Sequence, residues 1–379
     1  MPPAQLGLII NPIAGIGGRV GLKGSDGAEV QRLARQLGGA AQAQERAAGA
    51  LSPLLRLSGD LELLTAPGAM GENVARVCGF NPIILRLPEH EGGWGEGETS
   101  AEDTSRAANE ILARRADLLL FAGGDGTARD ICAALGSGIP ALGIPAGVKI
   151  YSAVFAVNPH SAGELVAEFL TSQRICLREN EVLDIDEDAY RQGEIVTRLY
   201  GYLNVPYRRE RMQNQKVPTP ASEAAQMQSI AAAVIERMHP GQAYLLGPGT
   251  TTRAVAERLG LPKTLVGVDI LTRSETLALD VSEQQILAQL EQRPLGLIIT
   301  PTGGQGFLFG RGNQQLSPQV LRRVGRDNIL VIAPASKIAA LHGNPLLVDT
   351  GDPRVDSMLE GYMQVITGYR ETVIYRVSA

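Results

Sequence analysis

The stretch Asp117–Leu135, DLLLFAGGDGTARDICAAL, decides how the chain is read. An apolar run within Asp117–Phe121 leads into Gly123-Gly124-Asp125-Gly126-Thr127, and Ala128–Leu135 follows with helical character. A strand that ends in consecutive glycines lets a phosphate reach the backbone, because no Cβ stands in the way. The helix behind it turns unpaired N–H groups toward the anion. Asp125 is out of character in such a turn. A phosphate repels a carboxylate unless the carboxylate holds Mg²⁺ or takes a proton from an attacking hydroxyl, and both tasks belong to phosphoryl transfer. The same letters fit a tight strand-to-helix turn in which Asp125 caps the helix. Both readings stand on these residues alone.

Outward from this stretch, the N-terminal part alternates strands and helices. Leu6–Ile10 reads as a buried strand, followed by the glycine-rich Gly15–Gly27 and a helix with Val30, Leu33, Ala34 and Leu37 on one face. Leu61–Thr65 with Gly71–Cys78, and Pro82–Leu87 with Ala101–Arg115, repeat the unit. Near-continuous apolar strands alternating with helices predict an α/β fold with a doubly wound parallel sheet. The expected extent is a Rossmann-like nucleotide-phosphate domain over residues 1–160. Ala40–Ala50 reads as a solvated helix or loop, and Trp94 sits in a Glu- and Gly-rich loop, packing or stacking on a ring.

Past Asn158-Pro159 the pattern changes. Val182–Ile185 and Ile195–Val205 alternate as antiparallel strands do. Ser222–Met238 reads as a helix, Ala243–Leu246 as a strand, Gly247–Thr252 as a glycine loop, Arg253–Leu259 as a helix and Leu265–Asp269 as a strand.

The 379 residues, 44% hydrophobic, suffice for two domains. A formal net charge of −5 argues against a nucleic-acid surface. No window approaches the roughly 18 apolar residues of a membrane helix. A soluble, cytoplasmic protein is expected. Cys78, Cys132 and Cys176 are widely separated and read as reduced thiols, and the four histidines are scattered, so no structural metal is expected.

Several residues join Asp125 as candidates. Asn11 leaves the first strand where its amide can touch a nucleotide phosphate, and Gly15, Gly17 and Gly18 leave the loop open, with Arg19 and Lys23 following. Asp26 reads as a helix cap, and Ser100-Ala101-Glu102-Asp103 as a capping box that needs no catalytic role. Lys149, behind Pro145-Ala146-Gly147, stands where ligands sit on open parallel sheets, or is a surface lysine at a strand exit. Gly247–Thr252 offers N–H groups and hydroxyls to an anion beside Arg253, and equally reads as a turn.

Gly123–Thr127 resembles the hallmark of the NAD kinase and diacylglycerol kinase superfamily. Thr300-Pro301-Thr302-Gly303-Gly304 resembles a second hallmark of NAD kinases, in the expected order. Ile329–Val348 and Leu8–Gly18 look like further segments of the group, and Gly143–Ala156 is similar to the ATP-NAD kinase or AcoX-type subgroup. The resemblance implies transfer of a phosphoryl group from ATP or polyphosphate to the 2′-hydroxyl of NAD. In it Asp125 is general base or Mg²⁺-linked organiser, and Gly123, Gly124, Gly126 and Thr127 cradle the donor phosphates with Asn11 in support. Thr300, Thr302 and Gly303 would line the nucleotide site. It also implies a homo-oligomer and a β-rich second domain. The second domain is expected over 178–365, with the elements read over 222–270 departing from the family's usual pattern as an α/β insert, while 366–379 returns to the first domain.

Two departures bear on the acceptor. Gly304-Gln305-Gly306-Phe307 stands where the family has Ser-Thr-Ala-Tyr, and Asn180-Glu181 has the letters of the family's acceptor-gripping Asn-Glu motif but comes early and ahead of the strand. A kinase of another small hydroxylated metabolite is therefore an alternative, as is a non-catalytic nucleotide or sugar-phosphate sensor.

Overall fold

The computed structural model describes residues 3–22, 28–87, 99–148, 150–172, 175–185, 197–208, 224–302 and 306–379. Trp94, Lys23, Asp26, Lys149 and Gly303 lie outside the described residues. The chain forms two compact units, Met1–Ile16 with Gly24–Gln36 and Ala40–Gln213, and Gly17–Lys23 with Leu37–Gly39 and Asn214–Ala379.

The first unit is built on five parallel strands: β1 Ala4–Ile10, β2 Leu61–Thr65, β3 Ile83–Ile84, β4 Leu118–Gly123 and β5 Ala141–Pro145, in the order β3-β2-β1-β4-β5. Every residue of β4 is buried, as the apolar run demands of a strand covered on both faces. Its helices are α1 Ala28–Gln36, α2 Ala43–Leu51, α3 Glu72–Val77, α4 Ala101–Ala113, α5 Asp125–Leu135 and α6 Pro159–Thr171. Helix α4 opens on the expected capping box, with the Ser100 hydroxyl accepting from the Asp103 N–H and the Asp103 carboxylate accepting from the Ser100 N–H.

Registers Leu6↔Leu118 and Ile10↔Ala122 bring Asn11 and Gly123 to the same carboxyl edge. The strand order reverses between β1 and β4, which makes this edge the topological switch point of the sheet. The glycine turn of the sequence therefore sits where open α/β sheets hold ligands.

Three expectations that bear on the first unit change. Helix α2 is not solvated: Ala43, Ala47, Ala50 and Leu51 are fully buried. Its small side chains permit close approach, and a Cβ on Gly163 of α6 would lie 2.1 Å from the Ala50 carbonyl oxygen. The strand expected over Pro82–Leu87 pairs only at Ile83–Ile84. Residues 178–207, assigned above to the second domain, belong to the first unit. There β6 Cys176–Ile185 and β7 Thr197–Tyr207 form an antiparallel ribbon, and Leu183 of β6 hydrogen-bonds Ser152.

The second unit carries a nine-stranded mixed sheet, in the order β10-β9-β8-β11-β13-β15-β16-β14-β12. Its strands are β8 Ala243–Leu246, β9 Asp269–Leu271, β10 Thr276–Ala278, β11 Leu295–Ile299, β12 Phe307–Phe309, β13 Ile329–Ile332, β14 Leu346–Val348, β15 Gly361–Gly368 and β16 Glu371–Ser378. The helices are α7 Ala224–Arg237, α8 Thr250–Leu259, α9 Glu283–Gln292, α10 Pro318–Val324, α11 Ala335–Ala340 and α12 Pro353–Leu359. The helix, strand, loop and helix read over 222–259 appear as α7, β8 and α8, while the strand expected over Leu265–Asp269 begins only at Asp269, as β9. Strand β8 pairs parallel with β11, and β9 antiparallel with β8. Residues 366–379 do not return to the first domain, because β16 pairs antiparallel with β15 and parallel with β14 inside this sheet.

Candidate active site

The first unit gathers the glycine turn, Asn11 and a buried carboxylate at its switch point. Gly124 is extended, with φ −119° and ψ −164°, and caps α5 without a side-chain hydrogen bond, so Asp125 is the first residue of the helix and Gly126 the second. The expected capping role of the Asp125 side chain is absent. Its carboxylate instead accepts N–H bonds from Tyr151 at 2.6 Å and Ser152 at 3.0 Å. A Cβ on Gly123 would lie 2.4 Å from the Thr127 hydroxyl, which is why this position takes glycine. That hydroxyl accepts a hydrogen bond from the Asn11 amide at 3.0 Å, and the Asn11 N–H donates to the Ala122 carbonyl at 2.9 Å. Gly15, with φ +84°, passes so close to Ala146 that a Cβ would stand 2.5 Å from its carbonyl oxygen.

Asp125 is buried, and burial pushes its carboxyl up to about 7. Hydrogen bonds from Ser152 and Tyr151 oppose the rise, and the neighbouring Asp184 adds to it. Asp184 itself is paired with Arg129 at 2.9 Å. The folded-state pKa thus lies above the ordinary carboxyl value of 3.8, so between these limits the native state holds a proton that the unfolded chain gives up. The contribution of this group to stability is fully present below about pH 4 and lost as pH rises through about 7. Calorimetry across that window is expected to show the wild type losing stability relative to Asp125→Asn as pH increases, and a constant difference would contradict the shift.

The segment that holds Asp125 is held in turn by β6. The Ser152 hydroxyl donates to the Leu183 carbonyl at 2.8 Å and accepts from the Leu183 N–H at 3.0 Å, while the Asn180 amide donates to the Ala153 carbonyl at 2.7 Å. The Ala153 N–H donates to the Glu181 carbonyl at 3.1 Å. Asn180-Glu181 therefore lies within a strand rather than ahead of one, next to the partners of Asp125. The sequence does not disclose Tyr151 and Ser152 as partners of Asp125, or Asn180 as a support of their segment, because bonds between side chain and distant backbone leave no periodic trace. Arg46 of α2, buried and donating through Nε to the Pro145 carbonyl, was likewise missed inside an alanine-rich stretch.

The described residues contain no group of three or more His, Cys, Asp or Glu able to hold a metal. Asp125 offers one carboxylate already bonded to two N–H groups, a donor set that suits Mg²⁺ only as the companion of bound phosphates.

The remaining candidates among the described residues fall in the second unit. Gly17 and Gly18 belong to it, and a Cβ on Gly18 would stand 3.1 Å from Cβ of Gln314. Thr300 follows β11 directly, and Thr302 donates its N–H to the Phe307 carbonyl at 2.8 Å and its hydroxyl to the Arg311 carbonyl at 3.3 Å. The sequence-derived set is thus divided, with Asn11, Gly15, Gly123, Gly124, Asp125, Gly126 and Thr127 in one unit and Gly17, Gly18, Thr300 and Thr302 in the other.

These features define a two-unit α/β protein with a carboxylate set into a glycine-rich strand-to-helix turn. The family model of the ATP-NAD kinase N-terminal domain matches residues 6–175 and that of the ATP-NAD kinase C-terminal domain matches residues 241–377. The chain belongs to the NAD kinase superfamily, a family of ATP-dependent small-molecule kinases. Among solved structures it is similar to "a putative diacylglycerol kinase from Bacillus anthracis str. Sterne", at 14% identity and TM-score 0.27, over 49% of this chain and 47% of that one. A second structure described in the same words matches at 14% identity and TM-score 0.26, over 49% of this chain and 44% of its own. The chain thus spans less than half the length of these structures. No curated protein matches it. Among the described residues no helix is long and apolar enough to cross a membrane.

Proposed function

We propose that the chain transfers the terminal phosphoryl group of ATP, or of polyphosphate, to the 2′-hydroxyl of NAD, giving NADP. The observation that carries this reading is the Asp125 carboxylate, buried at the head of α5 with a pKa of about 7. Such a group is part ionised near neutral pH and can take a proton from a hydroxyl. The acceptor oxygen bonds to phosphorus as the bond to the leaving phosphate oxygen breaks. The hydroxyl proton passes to Asp125, and ADP or shortened polyphosphate departs. Gly123, Gly124, Gly126 and the N–H groups opening α5 bind the donor phosphates. Thr127 and Asn11 fix the turn, and Lys149 supplies a cation. Mg²⁺, held by the phosphates, would supply charge neutralisation when bound; in the alternative role Asp125 would help hold that ion instead of taking the proton. Thr300, Thr302 and Gly303 take part in nucleotide binding. The reading places the protein in the AcoX-type subgroup and in the cytoplasm, as a homo-oligomer.

The test is to incubate the protein with Mg²⁺, ATP or polyphosphate, and NAD, and to assay NADP. NADP formation is the expected result.

A second reading, transfer to another small hydroxylated metabolite, is favoured by one observation. Phe307 stands where the family has tyrosine, and it is fully buried in β12 within the second unit's sheet. A buried phenylalanine cannot offer the ring and hydroxyl expected beside the dinucleotide. ATP consumption that appears with another metabolite and not with NAD would replace the first reading by the second.

A further inference from the structure

The second unit has a donor cluster at its own sheet edge, of which the reading above uses Thr300 alone. Strands β8, β11 and β13 are adjacent and parallel, so the segments leaving them emerge side by side. They are Gly247–Thr252 after β8, Thr300 after β11, and the Pro334–Lys337 turn after β13. Thr251 and Thr300 are 0% and 4% exposed. Their hydroxyls accept from the Lys337 ammonium at 3.4 and 3.5 Å. Neither hydroxyl proton has an acceptor among the described residues. Thr252, one residue on, shows the contrast, since its hydroxyl donates to the Gly247 and Gly249 carbonyls at 2.7 and 2.9 Å.

The backbone adds donors of the same kind. The first helical bond of α8 runs from the Arg253 N–H to the Gly249 carbonyl at 3.1 Å, so the N–H groups of Thr250, Thr251 and Thr252 precede the helical ladder. Gly249 caps α8 with φ +123°, and a Cβ there would stand 2.9 Å from Cγ2 of Thr300, so glycine is what lets the two segments meet.

An ammonium, two buried hydroxyl protons and the opening N–H groups of a ten-residue helix form a set rich in donors. Buried hydroxyls are ordinarily satisfied, and hydroxyl protons and helix-opening N–H groups without acceptors are complementary to an anion. A carboxylate has two oxygens for this array, whereas a phosphoryl group has three. We propose that Thr250–Thr252, Thr300 and Lys337 bind the phosphoryl group of a small phosphorylated metabolite. The inference concerns the second unit alone and does not depend on the role given to Asp125.

Titration of the full chain with inorganic phosphate and then pyrophosphate at low ionic strength tests it, with hydrogen exchange read on the amides of Thr250–Arg253. Saturable binding that slows exchange at these amides is expected. Lys337→Met should weaken it about tenfold or more, as loss of a charge-assisted contact does, and Lys337→Arg should restore most of it. Thr300→Val, which keeps the side-chain shape, should weaken it several-fold, and circular dichroism checks that each variant is folded. Asp125→Asn should leave the exchange response unchanged, so this site and the proposed chemistry fail separately. Unaltered exchange at Thr250–Arg253 under saturating phosphate, or wild-type affinity in both Lys337→Met and Thr300→Val, would overturn the proposal.

Discussion

Asparagine at position 125 is expected to lower turnover by about two to four orders of magnitude, the range for loss of a general base, with little change in KM. The carboxylate accepts from two N–H groups, those of Tyr151 and Ser152. Asparagine is nearly the same size and its oxygen keeps one of these bonds, but its NH₂ faces the second donor and it cannot accept the acceptor's proton. Two effects are therefore mixed and must be separated. A purely structural Asp125 would lower the folded fraction while kcat per folded molecule held. Steady-state kinetics normalised to the folded fraction, with ATP and whichever acceptor supports turnover, distinguishes the cases. Normal kcat would remove Asp125 from the chemistry.

The second large effect is on stability. Phe121→Ala should destabilise the first unit by about 3–5 kcal/mol, the range for emptying a buried aromatic site. Phe121 is fully buried in β4 and meets Phe155 edge to face, with ring centroids 5.4 Å apart and planes at 68°. Phe155 itself occupies space left by Gly143, where a Cβ would stand 2.3 Å from its ring. The site cannot collapse around the lost ring without moving β4 or β5, so the cavity term is added to the transfer term. Calorimetry of the first unit's transition is the measurement. A loss below about 1 kcal/mol would mean that the site refills.

What the sequence disclosed follows from which forces leave local marks. The strand and helix around Gly123–Thr127, the box at Ser100 and Asp103, and the β6–β7 ribbon were legible because apolar period and capping chemistry act over a few residues. The lodging of Asp125 against Tyr151 and Ser152 was not, since it joins residues 26 and 27 positions apart through backbone groups that any residue carries. Helix α2 misled for a related reason, as alanine serves both solvated helices and close packing, and only the approach to Gly163 separates them. Strand β16 was misassigned because its sequence states that it pairs and not with which strand. Lys337 had a readable signal after all. It follows a strand and a proline, the logic already applied to Lys149.

The membership of Gly17–Lys23 and Leu37–Gly39 in the second unit sets a limit on dissecting the gene. The Glu283 N–H, at the start of α9, donates to the Arg19 carbonyl at 3.1 Å, a bond internal to that unit although its ends are distant in the chain. A cut between codons 213 and 214 would yield one product lacking a piece of its own unit and another carrying a piece that belongs elsewhere. Neither half is thus a portable module, and insertion, deletion or recombination within the Gly15–Gly39 region must satisfy two packing environments at once.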